Sequence, residues 1–216
     1  MDINFREKKV LITSGPTWVP IDNVRVISNT ASGETGILLA KAFIRQGCRV
    51  TLLLGPISAV ALDKKIKVKR FTFFNDLVAL LKKELKSDYD IVIQSAAISD
   101  FAPGFTGKKK ISSQCKKLKL ILKPTVKIIN YLRKLKPNAF LVGFKFEPDL
   151  KTDELIKKTR KLIQSANLDL AVGNTLLNKH YNAYLVNKAQ VSGPWLSKSA
   201  MVDNLIKLIR SKYARS

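Results

Sequence analysis

Cysteine, histidine and acidic residues are all scarce in this chain of 216 residues. Its two cysteines, Cys48 and Cys115, fit a reducing compartment and are too few for a disulfide framework, so a packing or surface role is predicted for both. A cysteine nucleophile needs a neighbouring base, and the one histidine, His180, has no second metal-ligating residue at suitable spacing. Neither a Cys–His catalytic pair nor a metal held by protein ligands is expected.

Long apolar runs are also missing. No stretch approaches the roughly 18 apolar residues that a membrane-spanning helix needs. The first nine residues, 1–9, lack the apolar core of a signal peptide, so we expect a cytoplasmic protein without a membrane partner. With 46% hydrophobic residues the chain can bury one full core, and it is too short for a second one. A single domain over 1–216 is therefore predicted.

Negative charge is outweighed by positive charge, since 39 Lys and Arg stand against 16 Asp and Glu for a net charge of +23. A field of this sign concentrates anions such as nucleotides, phosphorylated metabolites or nucleic acid. Lysines on solvated helix faces would give the same total. The charge alone therefore does not select a ligand.

Apolar runs suited to strands alternate with segments of helical periodicity. Strands are predicted at 9–13, 49–56, 68–73, 90–95, 117–122, 139–144 and 168–173, a terminal hairpin at 182–186 and 189–191, and helices at 37–47, 75–86, 126–135, 152–165 and 197–212. Asn75 or Asp76 is the expected N-cap of the second helix. This order predicts an α/β fold: a Rossmann-like three-layer sandwich with a mostly parallel sheet.

Ligands of open parallel sheets bind beyond the carboxyl ends of the strands. Four segments are expected at that edge: 14–36, 96–111, 144–149 and the chain from 174 onward. The first exceeds the roughly 12–15 residues typical of an unstructured connection. Gly33 and Gly36 open a helix whose free N–H groups could hold a phosphate, although an ordinary helix start has the same pattern.

The segment after the strand at 90–95 is the second candidate. The small side chains of Ala96 and Ala97 would let a base or ribose lie against the backbone. Asp100 could accept hydrogen bonds from a base, a ribose or a hydrated cation, or it could cap a turn. The basic residues of 107–113 are either solvated or neutralise a triphosphate.

Several motifs follow one another along nearly the whole chain. They are VLITSGPT at 10–17, PIDxVRxISN at 20–29, ASGxxG at 31–36, AAISDF at 96–101, KIxS at 110–113, KPTVKII at 123–129, GFKFE at 143–147 and DLAVGN at 169–174. Together they resemble the phosphopantothenate–cysteine ligase family of coenzyme A biosynthesis. In many bacteria and archaea that ligase is fused behind a flavin-dependent decarboxylase.

The resemblance implies a two-step reaction. The carboxylate of 4′-phosphopantothenate attacks the α-phosphate of CTP or ATP, which releases pyrophosphate and forms an acyl-nucleotidylate. The amine of cysteine then displaces the nucleoside monophosphate and forms an amide. Mg²⁺ would shield the triphosphate. No protein nucleophile is needed, in agreement with the lack of a Ser–His or Cys–His pair.

The resemblance also assigns residues. Asn29 would be catalytic and substrate-binding, because it positions the acyl-nucleotidylate, and Lys110 would be catalytic as a cation at the phosphates. Asn174 would be a further substrate-binding residue. The nucleotide-binding set would be Gly15, Ser32, Gly33, Gly36, Ala96, Ala97, Asp100, Lys110, Phe144 and Lys161.

Some residues depart from the family pattern. Ser14 stands where glycine is frequent, Glu34 stands where a basic residue is frequent, and no second lysine follows Lys161 by about four residues. These differences bear on the choice between CTP and ATP more than on the reaction. Lys127 and the segment 144–147 resemble archaeal and eukaryotic-type members, some of which favour ATP.

Partners follow from the same resemblance. A homodimer is expected, with an arm at about 102–122 in the interface. No decarboxylase-like segment precedes the ligase motifs, so a separate phosphopantothenoylcysteine decarboxylase is expected to act on the product.

Two other functions share some of these features. An NADPH-dependent Rossmann oxidoreductase would share the sheet, and Tyr184 with Lys188 has the Tyr-x-x-x-Lys spacing, but Tyr184 lies in a strand-like pattern and the glycine-rich GxGxxG motif is absent. A dedicated nucleic-acid-binding module would need basic residues interleaved with exposed aromatics. The phenylalanines instead sit in strand patterns, so no dedicated nucleic-acid partner is predicted.

Overall fold

The structure, a computed structural model, describes residues 6–104, 109–112, 114 and 116–213. Cys115 and part of the predicted flap at 107–113 lie outside the described residues. Cys48 is buried, and burial, with a smaller effect of the Asp90 charge, raises the pKa of its thiol to about 12. The thiol therefore stays protonated at neutral pH, which confirms a packing role.

An eight-stranded sheet forms the centre of the molecule. Its strands are β1 (Lys9–Ser14), β4 (Arg49–Leu54), β5 (Lys67–Arg70), β6 (Ile91–Gln94), β9 (Phe140–Phe146), β10 (Leu170–Leu177), β11 (His180–Val186) and β12 (Val191–Trp195). Their order is β12-β11-β10-β9-β6-β1-β4-β5, and every neighbouring pair from β10 to β5 is parallel. β11 is antiparallel to both of its neighbours, so the predicted terminal hairpin is confirmed.

Five helices cover the two faces of the sheet. They are α1 (Glu34–Arg45), α2 (Phe74–Glu84), α3 (Ile129–Leu135), α4 (Thr152–Ala166) and α5 (Lys198–Tyr213). Buried residues of α1 and α5 share one apolar cluster, and buried residues of α2, α3 and α4 share another on the opposite face. The Rossmann-like three-layer sandwich is therefore confirmed.

Two small antiparallel ribbons project from the strand ends. The first pairs β2 (Trp18–Pro20) with β3 (Val26–Ser28), and the second pairs β7 (Phe101–Pro103) with β8 (Leu122–Pro124). The long first connection is thus not an unstructured loop, because its apolar residues fold back on themselves and Val19 is buried.

The predicted strand at 117–122 is wrong. Only its last residue, Leu122, pairs, and Leu118 and Leu120 are 50% and 41% exposed. Most of this segment has no strand to pair with, because β7 is only three residues long and its pairing ends at Leu122. The apolar side chains of this segment therefore face solvent in the single chain.

The predicted cap of α2 is also wrong. Phe73 is the N-cap residue, and Asp76 lies in the first turn, where its carboxylate accepts the N–H of Phe73 at 2.8 Å and that of Thr72 at 3.2 Å. An acidic residue three positions after the cap satisfies the backbone donors that precede the helix. At the end of α1, Gly47 has φ +81°, which confirms it as the stop. No helix in the described part of the chain is long and apolar enough to cross a membrane.

Candidate active site

The loops after β1 and β6 are joined directly by backbone hydrogen bonds. The N–H of Ala97 donates to the carbonyl of Gly15 at 3.0 Å, and the N–H of Thr17 donates to the carbonyl of Ala97 at 3.3 Å. Gly15 has φ +80°, a conformation that favours glycine. A Cβ at this position would also lie 3.2–3.3 Å from Ile57 and Gly55, in the loop after β4. Three neighbouring strands therefore end in one compact set of loops.

The start of α1 is fastened to the end of β1. The buried Ser14 Oγ donates to the carbonyl of Gly33 at 2.7 Å, and Gly33 has φ +74°. A Cβ on Gly36 would lie 2.4 Å from both Cβ and Oγ of Ser14. Glycine is therefore required at position 36 because the helix and the strand approach each other so closely. The sequence pattern alone did not distinguish this structural role from a phosphate-binding role.

Asn29 follows the first ribbon and reaches the loop after β6. Its Nδ2 donates to the carbonyl of Ala97 at 3.1 Å. The structure thus brings together four of the residues assigned from the sequence, namely Gly15, Asn29, Gly33 and Ala97, at the carboxyl edge of the sheet. Ala96 lies in the same loop, where its N–H donates to Thr13 Oγ1 at 3.2 Å.

A cleft of about 540 Å³ opens beside these residues. One wall is residues 28–32 and the first turns of α1, including Glu34 and Lys41, and the opposite wall is residues 56–60 after β4. Ser32 lies in the first wall, whereas the wall at 56–60 was missed. A strand was already predicted at 49–56, and its end at Gly55 and Pro56 was the signal that could have found this wall.

Glu34 stands where a basic residue is frequent in the family pattern, and its side chain points toward α5. Its carboxylate forms an ion pair with Lys198 at the start of that helix. The pair draws the negative charge of Glu34 to the side of α5 and partly neutralises it. Lys198 is thus a cation at the edge of the cleft that the sequence analysis did not identify.

The remaining assigned residues are spread along the strand-end edge. Asp100 is exposed and its backbone carbonyl accepts the N–H of Thr125 at 2.8 Å, while Phe144 is half-buried on β9 and packs against the core beneath α1 and α5. The carbonyl of Asn174 accepts the N–H of Glu147 at 3.0 Å. Lys110 is exposed beside Ile111.

Lys161 is the assigned residue that the structure sets apart. It is exposed on α4, which begins at the strand-end edge, and it lies nine residues beyond Thr152. At about 1.5 Å rise per residue this is roughly 14 Å along the helix from that edge. Lys158, one turn nearer, instead pairs with Glu147 at 2.9 Å, and Lys145 pairs with the same carboxylate at 2.8 Å. These hydrogen bonds, that of Lys145 first, hold the pKa of Glu147 below its ordinary value.

Gln94, at the end of β6, was missed. It is 6% exposed, and within the described residues neither of its side-chain amide atoms has a hydrogen-bond partner. A buried amide without a partner costs free energy unless a water or a ligand satisfies it. A glutamine that ends an otherwise apolar strand was the signal in the sequence.

Comparison with protein families identifies the family to which this chain belongs. The model of the "DNA/pantothenate metabolism flavoprotein C-terminal domain" matches residues 5–213. The chain belongs to this family. The predicted membership in the ligase family of coenzyme A biosynthesis is thereby confirmed.

Two of the curated relatives carry the same name. The chain is 39% identical over 171 residues to the "Coenzyme A biosynthesis bifunctional protein CoaBC" of Thermococcus kodakarensis, covering 78% of the chain and 41% of the relative. It is 35% identical over 210 residues to the protein of the same name from Methanocaldococcus jannaschii, covering 94% and 50%. The chain thus spans about half the length, or less, of these relatives.

Two solved structures have the same fold. The "DNA/Pantothenate Metabolism Flavoprotein" of Streptococcus pneumoniae superposes with a TM-score of 0.85 at 26% identity, over 95% of this chain and 99% of that one. A mutant of Cab2 in complex with phosphopantothenate-cysteine superposes with a TM-score of 0.76 at 22% identity, over 97% and 88%. Because the identity to the Cab2 structure is only 22%, that similarity establishes the fold alone.

Proposed function

We propose that this chain is a phosphopantothenate–cysteine ligase. In the first step a carboxylate oxygen of 4′-phosphopantothenate attacks the α-phosphorus of CTP or ATP, and pyrophosphate leaves. In the second step the amine of cysteine attacks the acyl carbon, and the nucleoside monophosphate leaves. The nicotinamide alternative lacks support, because Tyr184 lies in β11 and its hydroxyl is bonded to Thr152 Oγ1 at 2.9 Å.

One observation carries the proposal. In a chain of this family, Asn29 from the loop after the first ribbon is hydrogen-bonded to Ala97 in the loop after β6, directly beside the start of α1. This arrangement places an amide, a bend of backbone with glycine and a helix N-terminus around one cleft. Such surroundings suit a polyanionic substrate that must be held while its carboxylate is activated.

The roles of the individual residues are those that the family resemblance implies. Asn29, held by its bond to Ala97, orients the acyl-nucleotidylate for attack by cysteine. Lys110 neutralises phosphate charge that would otherwise repel the attacking carboxylate. Phe144 and Asp100 contact the nucleotide, and Asn174 contacts the substrate.

Mg²⁺ enters this scheme with the nucleotide. Among the described residues no group of three or more His, Cys, Asp or Glu side chains could hold a metal ion. We assign Mg²⁺ to the triphosphate substrate as its counter-ion. The experiment that tests the reaction also shows whether CTP or ATP is the substrate.

The test is pyrophosphate release with phosphopantothenate, Mg²⁺ and either CTP or ATP, with and without cysteine, followed by mass spectrometry of the product. We expect release with at least one nucleotide, and phosphopantothenoylcysteine only when cysteine is present. Saturable NADPH binding without pyrophosphate release would contradict the proposal. A signal from DNA that survives physiological salt, in the absence of ligase activity, would favour a nucleic-acid module instead.

Two variants separate the steps. Asn29→Asp removes the donor to the Ala97 carbonyl and places two oxygens against each other, so amide formation should fall more than pyrophosphate release. Lys110→Gln should reduce pyrophosphate release while the fold is kept. Asn138→Asp and Lys207→Gln, exposed substitutions of the same kinds away from the cleft, serve as controls. Wild-type turnover in either site variant would remove the role assigned to that residue.

A further inference from the structure

The backbone next to Lys110 is held by a buried carboxylate 89 residues away in sequence. Asp22, in the turn of the first ribbon, is 3% exposed. Its Oδ2 accepts the N–H of Ile111 at 3.0 Å, and Arg25 Nη1 donates to the carbonyl of the same Ile111 at 3.2 Å. The backbone N–H and C=O of Ile111 are therefore both hydrogen-bonded to the same ion pair, Asp22 and Arg25. We refer to Asp22, Arg25 and Ile111 as the anchor.

The two oxygens of Asp22 have different partners. Oδ1 accepts the N–H groups of Val24 and Arg25, both at 2.8 Å, and so forms the turn of the ribbon. Oδ2 accepts Arg25 Nη1 at 2.5 Å and the N–H of Ile111. One oxygen thus stabilises the local turn, and the other fastens a distant segment to it.

The carboxylate is charged at any pH at which the enzyme would be assayed. The bond from the N–H of Ile111, with those from Val24 and Arg25, holds the pKa of Asp22 well below its ordinary value although burial acts in the opposite direction. Hydrogen bonds to a charged acceptor are about twice as strong as those between neutral groups. The anchor therefore does not loosen through protonation near neutral pH.

The same ribbon also carries Asn29. Asp22 lies between β2 and β3, and Asn29 directly follows β3. From these contacts we infer that Asp22 is a positioning residue, which holds Lys110 in fixed relation to Asn29 by fixing the backbone of Ile111. The inference rests on the function proposed above, because that function gives Lys110 and Asn29 their roles.

Asp22→Asn is the sharpest test. The amide oxygen can keep the turn contacts of Oδ1, but its NH₂ group would face two donors, the Arg25 guanidinium and the Ile111 N–H. A charge-assisted hydrogen bond contributes more free energy than the roughly 1.4 kcal/mol that corresponds to a tenfold change in rate. Its loss should therefore lower kcat for pyrophosphate release about tenfold or more. KM for phosphopantothenate should change much less. Asp63→Asn, which alters an exposed turn carboxylate that accepts the N–H of Lys65 at 2.8 Å, is the matched control.

Coupling to Lys110 separates positioning from general destabilisation. In a Lys110→Gln background, Asp22→Asn should cost little further activity, because the side chain to be positioned is already missing. A purely structural role would give additive losses, and additive losses would overturn the inference.

Limited trypsin digestion gives a readout that is independent of catalysis. Cleavage after Lys109 and Lys110, assigned by the masses of the fragments, should be about ten times faster in Asp22→Asn than in the wild type or in Asp63→Asn. If the wild type releases no pyrophosphate, the proposed function fails, whereas the digestion still decides whether the anchor exists. If Asp22→Asn does not fold, Arg25→Met, which removes the guanidinium from a partly exposed side chain, should shift both readouts in the same direction. Unchanged cleavage in folded variants, or faster cleavage with full turnover, would refute the positioning role.

Discussion

At the scale of single residues, the contact between Ser14 and Gly36 sets the distance between β1 and α1. The Ser14 hydroxyl bonds to Gly33, and its Cβ and Oγ occupy the space that any side chain at 36 would need. The pair therefore behaves as one unit, in which a serine at 14 demands a glycine at 36.

This pairing predicts the effect of Gly36→Ala. The new Cβ would lie 2.4 Å from Ser14, so the helix start must move, with an expected loss of about 1–3 kcal/mol in unfolding free energy and a clear loss of ligase activity. Ser14→Gly in the same chain should restore much of the stability, since it removes both clashing atoms. Urea denaturation of the two single variants and the double variant measures the coupling, and a double variant no more stable than Gly36→Ala would contradict this account.

At the scale of elements, a partly buried ion pair joins α2 to the sheet. Glu84, at the end of α2, is 6% exposed and bonds to Lys69 of β5 and, at 2.9 Å, to the hydroxyl of Tyr89. Desolvation raises the pKa of Glu84, but the bonds from Lys69 and Tyr89 outweigh it and hold the pKa below the ordinary value of 4.5. Burial, followed by the Glu84 contacts, raises the pKa of Tyr89 to about 12, so its hydroxyl remains a donor.

Glu84→Gln should therefore lower the unfolding free energy by about 1–3 kcal/mol at neutral pH. Because the folded pKa is the lower one, this contribution is complete above about 4.5 and declines as the pH falls toward the folded value. Thermal unfolding of wild type and variant from pH 7 to pH 3 should show the difference shrinking in acid. A difference that stays constant, or grows, would show that Glu84 does not stabilise the fold through its charge.

At the scale of the whole molecule, the arm at about 102–122 leaves apolar surface uncovered. Within the described part of the arm and its flanks, Phe101, Leu118 and Ile121 are 53%, 50% and 78% exposed. Contiguous exposed apolar side chains mark interaction surfaces more often than single ones do. We propose that a second copy of the chain covers them, as the family resemblance implies.

Ile121→Asp tests that proposal. Light scattering at micromolar concentration should give twice 24.2 kDa for the wild type and a mass near 24.2 kDa for the variant, because a charge cannot be buried at an apolar interface without a partner. Leu196→Asp, at a position that is 70% exposed before α5, should leave the mass unchanged. A wild-type mass near that of one chain, or a dimer that survives Ile121→Asp, would contradict this interface.

The sequence by itself determined the layered α/β fold and the family. Apolar runs and helical periodicity depend on neighbours close in the chain, and the motifs at 10–36 and 96–101 are local. For that reason the order of the helices and of the strands in the central sheet was predicted correctly, whereas the strands of the two ribbons were not predicted and the N-cap of α2 was wrong. The half-buried strand at 117–122 was wrong because alternation cannot reveal that no partner strand lies beside it.

Only the tertiary structure decided which residues lie together at the strand ends. The wall at 56–60, the pairing of Glu34 with Lys198 and the unpartnered amide of Gln94 depend on contacts between segments far apart in sequence. The same holds for Asp22, whose second oxygen reaches Ile111. A sequence lists the donors and acceptors of each residue, but which of them meet is fixed when the packed sheet brings the loops to one edge.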